Sequence, residues 1–392
     1  MVSVYLVDAV RTPLGKFGGS LKEFPAVKLG ATVIKKIIEK NRIDPGDLDI
    51  VIMGQVIRCG TGQDTARQAS ILAGIPPRVE AFNIDMVCSS GMMAIISGAS
   101  LIRSGDADLV IAGGMENMSR SPFIIPHDYR WGIRINYERE TSIIDSLIYE
   151  GLRDPFNGKV MVQEADMVAI EKGYSRERLE EIAYESHMRA YKATRDGIFK
   201  REIVPIEVDG RAYLEVDEGI RPDTSLDKMA KLQTVFQGGV HTAATSSQIS
   251  DGASAVLLAS EEAIAEHDLD VRAKIIGYAW EGVDSWRFTE APIYAVRRLL
   301  DKLGYNIDDI DLFENNEAFA VSTALFEDLL GVSRNRLNVL GGAIALGHPI
   351  GASGARILTT LLNAMEYFNY KRGIAALCHG VGGATAIMIE KI

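Results

Sequence analysis

The stretch Ala81-Phe82-Asn83-Ile84-Asp85-Met86-Val87-Cys88-Ser89-Ser90-Gly91 passes from one kind of structure into another through a single cysteine. An apolar run, Ala81 to Val87, reads as a strand, and from Ser90 onward apolar and small residues continue to Gly105 as a helix. Cys88 is therefore expected at the N-terminal end of that helix. A helix N-terminus carries about half a positive charge and unpaired N–H groups, which activate a thiol and hold a developing oxyanion. Alone, the cysteine reads first as a small buried hydrophobe. A further strand, Asp108 to Ala112, follows the helix and runs into Gly113-Gly114.

The same design occurs elsewhere. Ser3 to Asp8 reads as strand and Ala26 to Lys40 as helix; near the C-terminus Gly351 to Phe368 reads as helix and Gly373 to Leu377 as strand. Ser90-Gly91 is matched by Ser353-Gly354, and Gly113-Gly114 by Gly382-Gly383. This ordered likeness predicts an α/β chain of two similar halves, each presenting a glycine-rich turn to a shared cleft. The halves are placed at 1–118, completed by about 248–270, and at 271–392. Residues 119–247 differ: they are richer in charge, carry a helix from Arg176 to Thr194 and have irregular stretches near Pro155 and Pro222. They read as an inserted loop domain and a lid over the cleft.

At 392 residues, 47% hydrophobic and 24% charged, the chain is long enough for two cores and too apolar for disorder. A net charge of -11 disfavours nucleic acid and an anionic lipid surface as partners. The three cysteines, Cys59, Cys88 and Cys378, are too few and scattered for a disulfide framework or a zinc site, which fits a reducing compartment. Val2 to Val10 is apolar but short and lacks a basic flank, so no signal peptide is expected and the location is read as cytoplasmic. No run of roughly 18 apolar residues is found, and no membrane span is expected.

Three further segments could carry chemistry. Gly341-Gly342-Ala343-Ile344-Ala345-Leu346-Gly347-His348-Pro349-Ile350-Gly351 sets one histidine on a glycine-rich turn, where it either bonds local backbone or takes a proton from a nearby thiol. Cys378 opens another such turn, His379-Gly380-Val381-Gly382-Gly383, and a thiol there could move a proton. Asn316-Glu317-Ala318-Phe319-Ala320 places an amide at the mouth of a helix, ordinarily a cap. His127, His187 and His267 read as surface or packing residues and Cys59 as a buried thiol.

Together and in this order, these segments resemble the thiolase family. The nucleophile motif is matched by Asn83 to Gly91, the Asn-Glu-Ala-Phe-Ala box by Asn316 to Ala320, the glycine-histidine-proline motif by Gly342 to Arg356, and the closing motif by Cys378-His379-Gly380. The resemblance implies the five-layered αβαβα fold of two halves with an inserted loop domain, and assembly as a homodimer or homotetramer. It implies an acyltransferase that condenses two acetyl-CoA to acetoacetyl-CoA and CoA, or cleaves longer 3-ketoacyl-CoA. Cys88 would form the acyl-enzyme, with His348 as its base. Cys378 would take a proton from the methyl of acetyl-CoA. His348 and a water held by Asn316 would stabilise the enolate, and the amides of Cys88 and Gly380 the other oxyanion. The matching positions for coenzyme A are Arg221 and Ser247, with Met161 and Phe319 beside the bound thioester. Coenzyme A thioesters are substrates, and this carbanion chemistry requires no metal or redox cofactor.

The chain also departs from the family pattern. His-Met-Gly-Thr-Thr-Ala-Glu-Asn is replaced by Val160-Met161-Val162-Gln163-Glu164-Ala165-Asp166-Met167, which leaves the pantetheine contacts there open. His379 either packs beside Cys378 or tunes it, and Phe288 stands where short-chain members often have methionine, so it is expected to narrow the acyl pocket. Two rivals are weighed. A ketoacyl or hydroxymethylglutaryl-CoA synthase would lack Cys378; a catalytically weak acyl-CoA-binding subunit or scaffold would not need all four reactive side chains.

Overall fold

The structure, a computed structural model, describes residues 2–132 and 142–392. Strands β1 (Tyr5–Arg11), β2 (Ile50–Gly54), β3 (Glu80–Ile84), β4 (Leu109–Asn117) and β5 (Ser250–Ala259) belong to the first half. Strands β6 (Ala273–Gly282), β7 (Leu312–Asn315), β8 (Arg372–His379) and β9 (Gly383–Lys391) belong to the second. They follow one hydrogen-bonded path, β3-β2-β4-β5-β1 and then β6-β9-β8-β7. In the first half β2 is parallel to β4, which is antiparallel to β5, which is antiparallel to β1. In the second, β7 is parallel to β8, which is antiparallel to β9, which is antiparallel to β6. The order and the directions repeat, as the paired glycine turns predict. The halves meet where β1 pairs with β6, at Tyr5 with Lys274 and Leu6 with Ala273.

The helices that matter for the site are α1 (Ala26–Asn41), α2 (Thr65–Leu72), α3 (Ser90–Ser104), α4 (Met161–Glu171), α5 (Arg176–Arg195), α6 (Ala291–Leu303), α7 (Ala320–Leu330) and α8 (Ser353–Phe368). Their burial assigns them to layers. In α1 the buried residues Leu29, Val33, Ile34 and Ile37 form one stripe, the mark of a helix with one face in water. In α8 every residue from Ser353 to Met365 is buried, the mark of a helix packed all round. Accordingly α1 and α2 cover the outer face of the first half, α6 covers that of the second, and α3 and α8 pack on each other between them.

Strand alternation sorts side chains into the gaps between layers. Along β5, Val256 and Leu258 join the central core with α3 and α8, whereas Ala255 and Leu257 face α1. Along β9, Ile387 and Ile389 enter the central core, whereas Ala386 and Met388 join the outer core with α6. The result is helices, sheet, helices, sheet, helices: five layers. Helices α4 and α5 add Val168 and Leu179 to the outer core of the second half, while Ile206 and Leu214 join that of the first.

Several boundaries differ from expectation. β3 ends at Ile84, because Asp85 to Val87 turn the chain before Cys88, and α8 starts at Ser353 rather than Gly351. Cys59 is partly exposed rather than buried. Val87–Ser104 has the length and mean hydropathy, 1.2, of a membrane span, which the search for unbroken apolar runs passed over. Much of this window is α3, whose apolarity is accounted for by its place between two sheets.

The central layer closes through glycine. A Cβ on Gly114 would lie 2.0 Å from the carbonyl oxygen of Gly351, and one on Gly91 would lie 2.9 Å from the same atom. These contacts are backbone against backbone, so no side chain can swing aside. Gly114→Ala is expected to destabilise the fold by about 3 kcal/mol, the upper range for overpacking, and to lower activity by displacing the turn that carries His348. Gly173→Ala, at a position with φ 73 and nothing within 4 Å, should cost only about 1 kcal/mol. Chemical denaturation of both variants checks the ranking.

Candidate active site

Cys88 sits on a turn that the chain enters under strain. Val87, a β-branched residue, adopts φ 48, in the left-handed region that such residues rarely visit. Ser90 fastens the turn: its hydroxyl donates to the Val87 carbonyl at 2.6 Å and accepts from the Met86 N–H at 2.8 Å. The Ser89 hydroxyl accepts from Thr385 of β9 at 3.0 Å, tying the turn to the second half. The sulfur of Cys88 then lies where the N–H groups of Cys88 and Gly380 both bear on it.

Cys378, near the end of β8, is buried and shares the outer core of the second half with Met161, Phe288 and Phe319. Burial pushes its thiol up, and the Cys88 sulfur lies near enough to push in the same direction. His379, the next residue on the strand, points away. Its Nδ1 bonds the Gly380 carbonyl at 2.7 Å, and its ring lies against Gly383, so of the two expectations packing fits the geometry.

His348 is held at several points. Its backbone N–H donates to the Gln248 carbonyl at 2.9 Å, and its Nδ1 lies 2.5 Å from the Ser353 hydroxyl. That hydroxyl donates to the Pro349 carbonyl at 2.9 Å, so it accepts from Nδ1–H and leaves the ring's lone pair on Nε2. The Asn316 Nδ2 lies 3.2 Å from Nδ1 and 3.4 Å from Nε2 of His348. The Asn316 backbone N–H donates to Ala376, two residues before Cys378, at 3.2 Å. Ile350, two residues after His348, packs in one apolar cluster with Cys88. Residues drawn from β7, β8 and the turns leading into α3 and α8 thus meet at one place.

Burial pushes the Cys88 thiol up to about 12, against the opposing pull of the Gly380 and Cys88 amides. Burial, reinforced by the Arg356 cation, pushes His348 down to about 3. Both groups are therefore neutral near pH 7. Glu116, at the far end of β4, is buried and pushed up to about 8 by that burial; it accepts from the N–H groups of Val56 and Gly351, each at 3.0 Å.

Two cavities adjoin these side chains. One, of about 380 Å³, has Val87, Tyr149, Met161, Gly380 and Val381 in its wall. The other, of about 260 Å³, is lined by His187, Arg221, Lys228, Ala244 and Gln248. Met161 and Gly380 thus fall in the first and Arg221 in the second. Ser247 bonds through its N–H to Ala318 at 2.9 Å, beside Gln248. Phe319 is buried between His241 and Phe288, meeting both edge-on at 5.5 and 6.0 Å. Phe288, 2% exposed, stands behind Phe319 and does not line either cavity. Among the described residues no group of three or more His, Cys, Asp or Glu could hold a metal ion.

Sequence reasoning missed Ser353, Glu116 and Arg356, polar residues in segments otherwise recognised. It also missed His241, whose Nδ1 bonds Asp166 at 2.8 Å. Only the third dimension brings these partners together, since Asp166 and His241 lie on either side of α5.

The model of the thiolase N-terminal domain matches residues 4–262, and that of the thiolase C-terminal domain matches residues 269–391. An acetyl-CoA acetyltransferase of Synechocystis sp. is 49% identical over the whole of both chains, and one of Syntrophomonas wolfei 44% identical over 99% of both. Among solved structures, the acetyl-CoA acetyltransferase of Bacillus anthracis superimposes with a TM-score of 0.96 at 37% identity, covering 100% of this chain and 99% of its own. A thiolase from Ascaris suum in complex with coenzyme A does so with a TM-score of 0.93 at 39% identity, covering all of both chains. With both family domains matched in order along nearly its entire length, the chain belongs to the thiolase family.

Proposed function

We propose that this thiolase transfers acetyl groups between coenzyme A thioesters, joining two acetyl-CoA into acetoacetyl-CoA and CoA or running the reverse cleavage. The observation that carries the reading is the nearness of two thiols, Cys88 and Cys378, with the Gly380 N–H bearing on the Cys88 sulfur. The names of the relatives and the coenzyme A complex of the Ascaris suum thiolase support the substrate class.

The chemistry divides into two halves. As the Cys88 sulfur attacks the acyl carbonyl, its proton passes to Nε2 of His348 and then to the departing thiolate, which leaves as CoA. The N–H groups of Cys88 and Gly380 hold the oxyanion of this step. In the second half Cys378, its own proton first passed to Nε2 of His348, takes a proton from the methyl of acetyl-CoA, the enolate carbon bonds to the acyl carbonyl, and the bond to Cys88 breaks. Cys378 keeps the methyl proton, and the proton held on His348 passes to the departing Cys88 sulfur, so the enzyme returns to its starting state. A thiol pushed up by burial and a second sulfur is a strong base once ionised, which suits the weakly acidic methyl group. His348 and a water on Asn316 receive the enolate oxygen. Arg221 and Lys228, beside the second cavity, offer positive charge to the phosphates of coenzyme A.

A neutral thiol beside a neutral imidazole behaves differently from a preformed ion pair. With Cys88 pushed up to about 12 and His348 down to about 3, alkylation of Cys88 by iodoacetamide in the free enzyme should rise with pH, about tenfold per unit, through pH 9. A plateau beginning near pH 5 would mean a thiolate–imidazolium pair instead. The division of labour gives a second expectation. Cys378→Ala should lose condensation by about 10²- to 10⁴-fold, the worth of a general base, while exchange of label between CoA and acetyl-CoA persists. Cys88→Ala should lose both; equal loss of exchange in the two variants would contradict the roles assigned. Third, Phe288 limits acyl length by bracing Phe319, so Phe288→Met should raise the ratio of long-chain to four-carbon 3-ketoacyl-CoA thiolysis, and an unchanged ratio would remove the ring from that role.

A further inference from the structure

Two arginines, Arg11 and Arg356, are buried in the described structure without exposure, and they are bonded in opposite ways. Arg11 is saturated: Nε donates to Glu202 at 2.6 Å, Nη1 and Nη2 donate to Asp217 at 2.6 and 2.9 Å, and Nη1 also reaches the Thr12 carbonyl at 3.2 Å. That is how a buried guanidinium is held for structure. Arg356 makes one side-chain hydrogen bond among the described residues, from Nη2 to the Asn316 Oδ1 at 3.3 Å, while its Nε and Nη1 find no partner. Glu314, on β7 two residues before Asn316, faces it at 4.0 Å without closing a hydrogen bond, and burial pushes its carboxyl up to about 8 against the pull of Arg356.

The position within α8 is equally pointed. Ser353, which holds His348 by Nδ1, and Arg356, which holds Asn316 by Oδ1, are three residues apart and so share one face of the first helical turn. A single turn of helix therefore grips both side chains assigned to the enolate oxygen.

We propose that Arg356 is a positioning residue for carbon–carbon bond formation: by holding the Asn316 amide through its oxygen, it keeps the Nδ2–H donors turned toward His348 and the substrate. The proposal rests on the reading of Asn316 as a support of the enolate oxygen. An asparagine amide can present either end to a neighbour. With the oxygen turned toward the substrate, it would accept a hydrogen bond from the water that faces the enolate and leave that water one donor fewer for the developing charge. A cation fixed behind the amide oxygen excludes that orientation, and it also polarises the amide so that its N–H groups donate more strongly as charge develops.

The test compares the two half-reactions in Arg356→Met, Arg356→Lys and the paired variant Arg356→Met/Glu314→Met, which leaves no buried carboxylate unpaired if the single variant folds poorly. Each is made with and without Asn316→Ala, and thermal melting is followed alongside. With Asn316 present, loss of Arg356 should lower kcat for condensation by about 10- to 100-fold, somewhat less than loss of a whole oxyanion donor, with KM for acetyl-CoA changed less than about threefold. Label exchange between CoA and acetyl-CoA should stay within about threefold, because that step uses the Cys88 and Gly380 amides. Arg356→Lys, which keeps the charge, should recover part of the condensation rate. In the Asn316→Ala background, removing Arg356 should cost less than about twofold more. An equal loss with and without Asn316, or an equal loss of exchange, would overturn the proposal and make Arg356 a structural residue. If Asn316→Ala alone leaves condensation intact, the reading of Asn316 fails first, and that result is read directly from the single variant.

Discussion

The backbone contact between Gly114 on β4 and Gly351 ahead of α8 governs the rest of the molecule. At that point the first half of the fold meets the turn of the second half with no side chain between them. The Glu116 carboxyl fastens the contact by accepting from the N–H groups of Val56 and Gly351 at 3.0 Å each. Because the carboxyl sits in a dry interior and is pushed up to about 8, it can keep its place at neutral pH without an opposing cation. Seating α3 and α8 this closely brings the starts of two helices, one after Cys88 and one after His348, into the same small volume. Neither half contains a complete site. Cys88 comes from the first, His348, Asn316 and Cys378 from the second, and the duplication of the sheet explains how two related turns come to face each other.

The electrostatics follow from the same closeness. Shielding from water makes both Cys88 and His348 favour their neutral forms, which would weaken a nucleophile that had to be charged in advance. It suits a reaction in which charge appears only briefly, on oxygen and sulfur, because preformed N–H donors act more strongly in a dry site than in water. Two buried arginines of different character stand behind the site. One is locked into carboxylates and braces the fold, and the other is left incompletely bonded beside the amide of Asn316.

Much of this was legible in the sequence, for identifiable reasons. The strand–cysteine–helix passage at Cys88, the glycine-rich turns at His348 and Cys378, and the repeat relating the halves are all local patterns, and local patterns survive in one dimension. The family resemblance supplied the five layers, which no periodicity could. What escaped was what depends on distance across the fold. Arg356 falls inside a recognised motif, yet its value lies in reaching Asn316, 40 positions away in the chain. His241 and Asp166 pair across α5. Phe288, expected to narrow the acyl pocket, stands behind Phe319 rather than in either cavity wall, a relation that only the packed core defines. The membrane-like hydropathy around α3 was missed in the opposite direction, since a helix enclosed by two sheets and a helix enclosed by lipid have the same composition.

Val87 has a consequence for how the protein can change over time. A β-branched residue at φ 48 stores about 1–3 kcal/mol that the surrounding hydrogen bonds of Ser89 and Ser90 must restrain. Glycine at this position would relax the backbone and raise thermal tolerance, and it would also free the neighbouring cysteine to wander from the amides that serve it. Selection for heat resistance and selection for turnover would therefore pull position 87 in opposite directions.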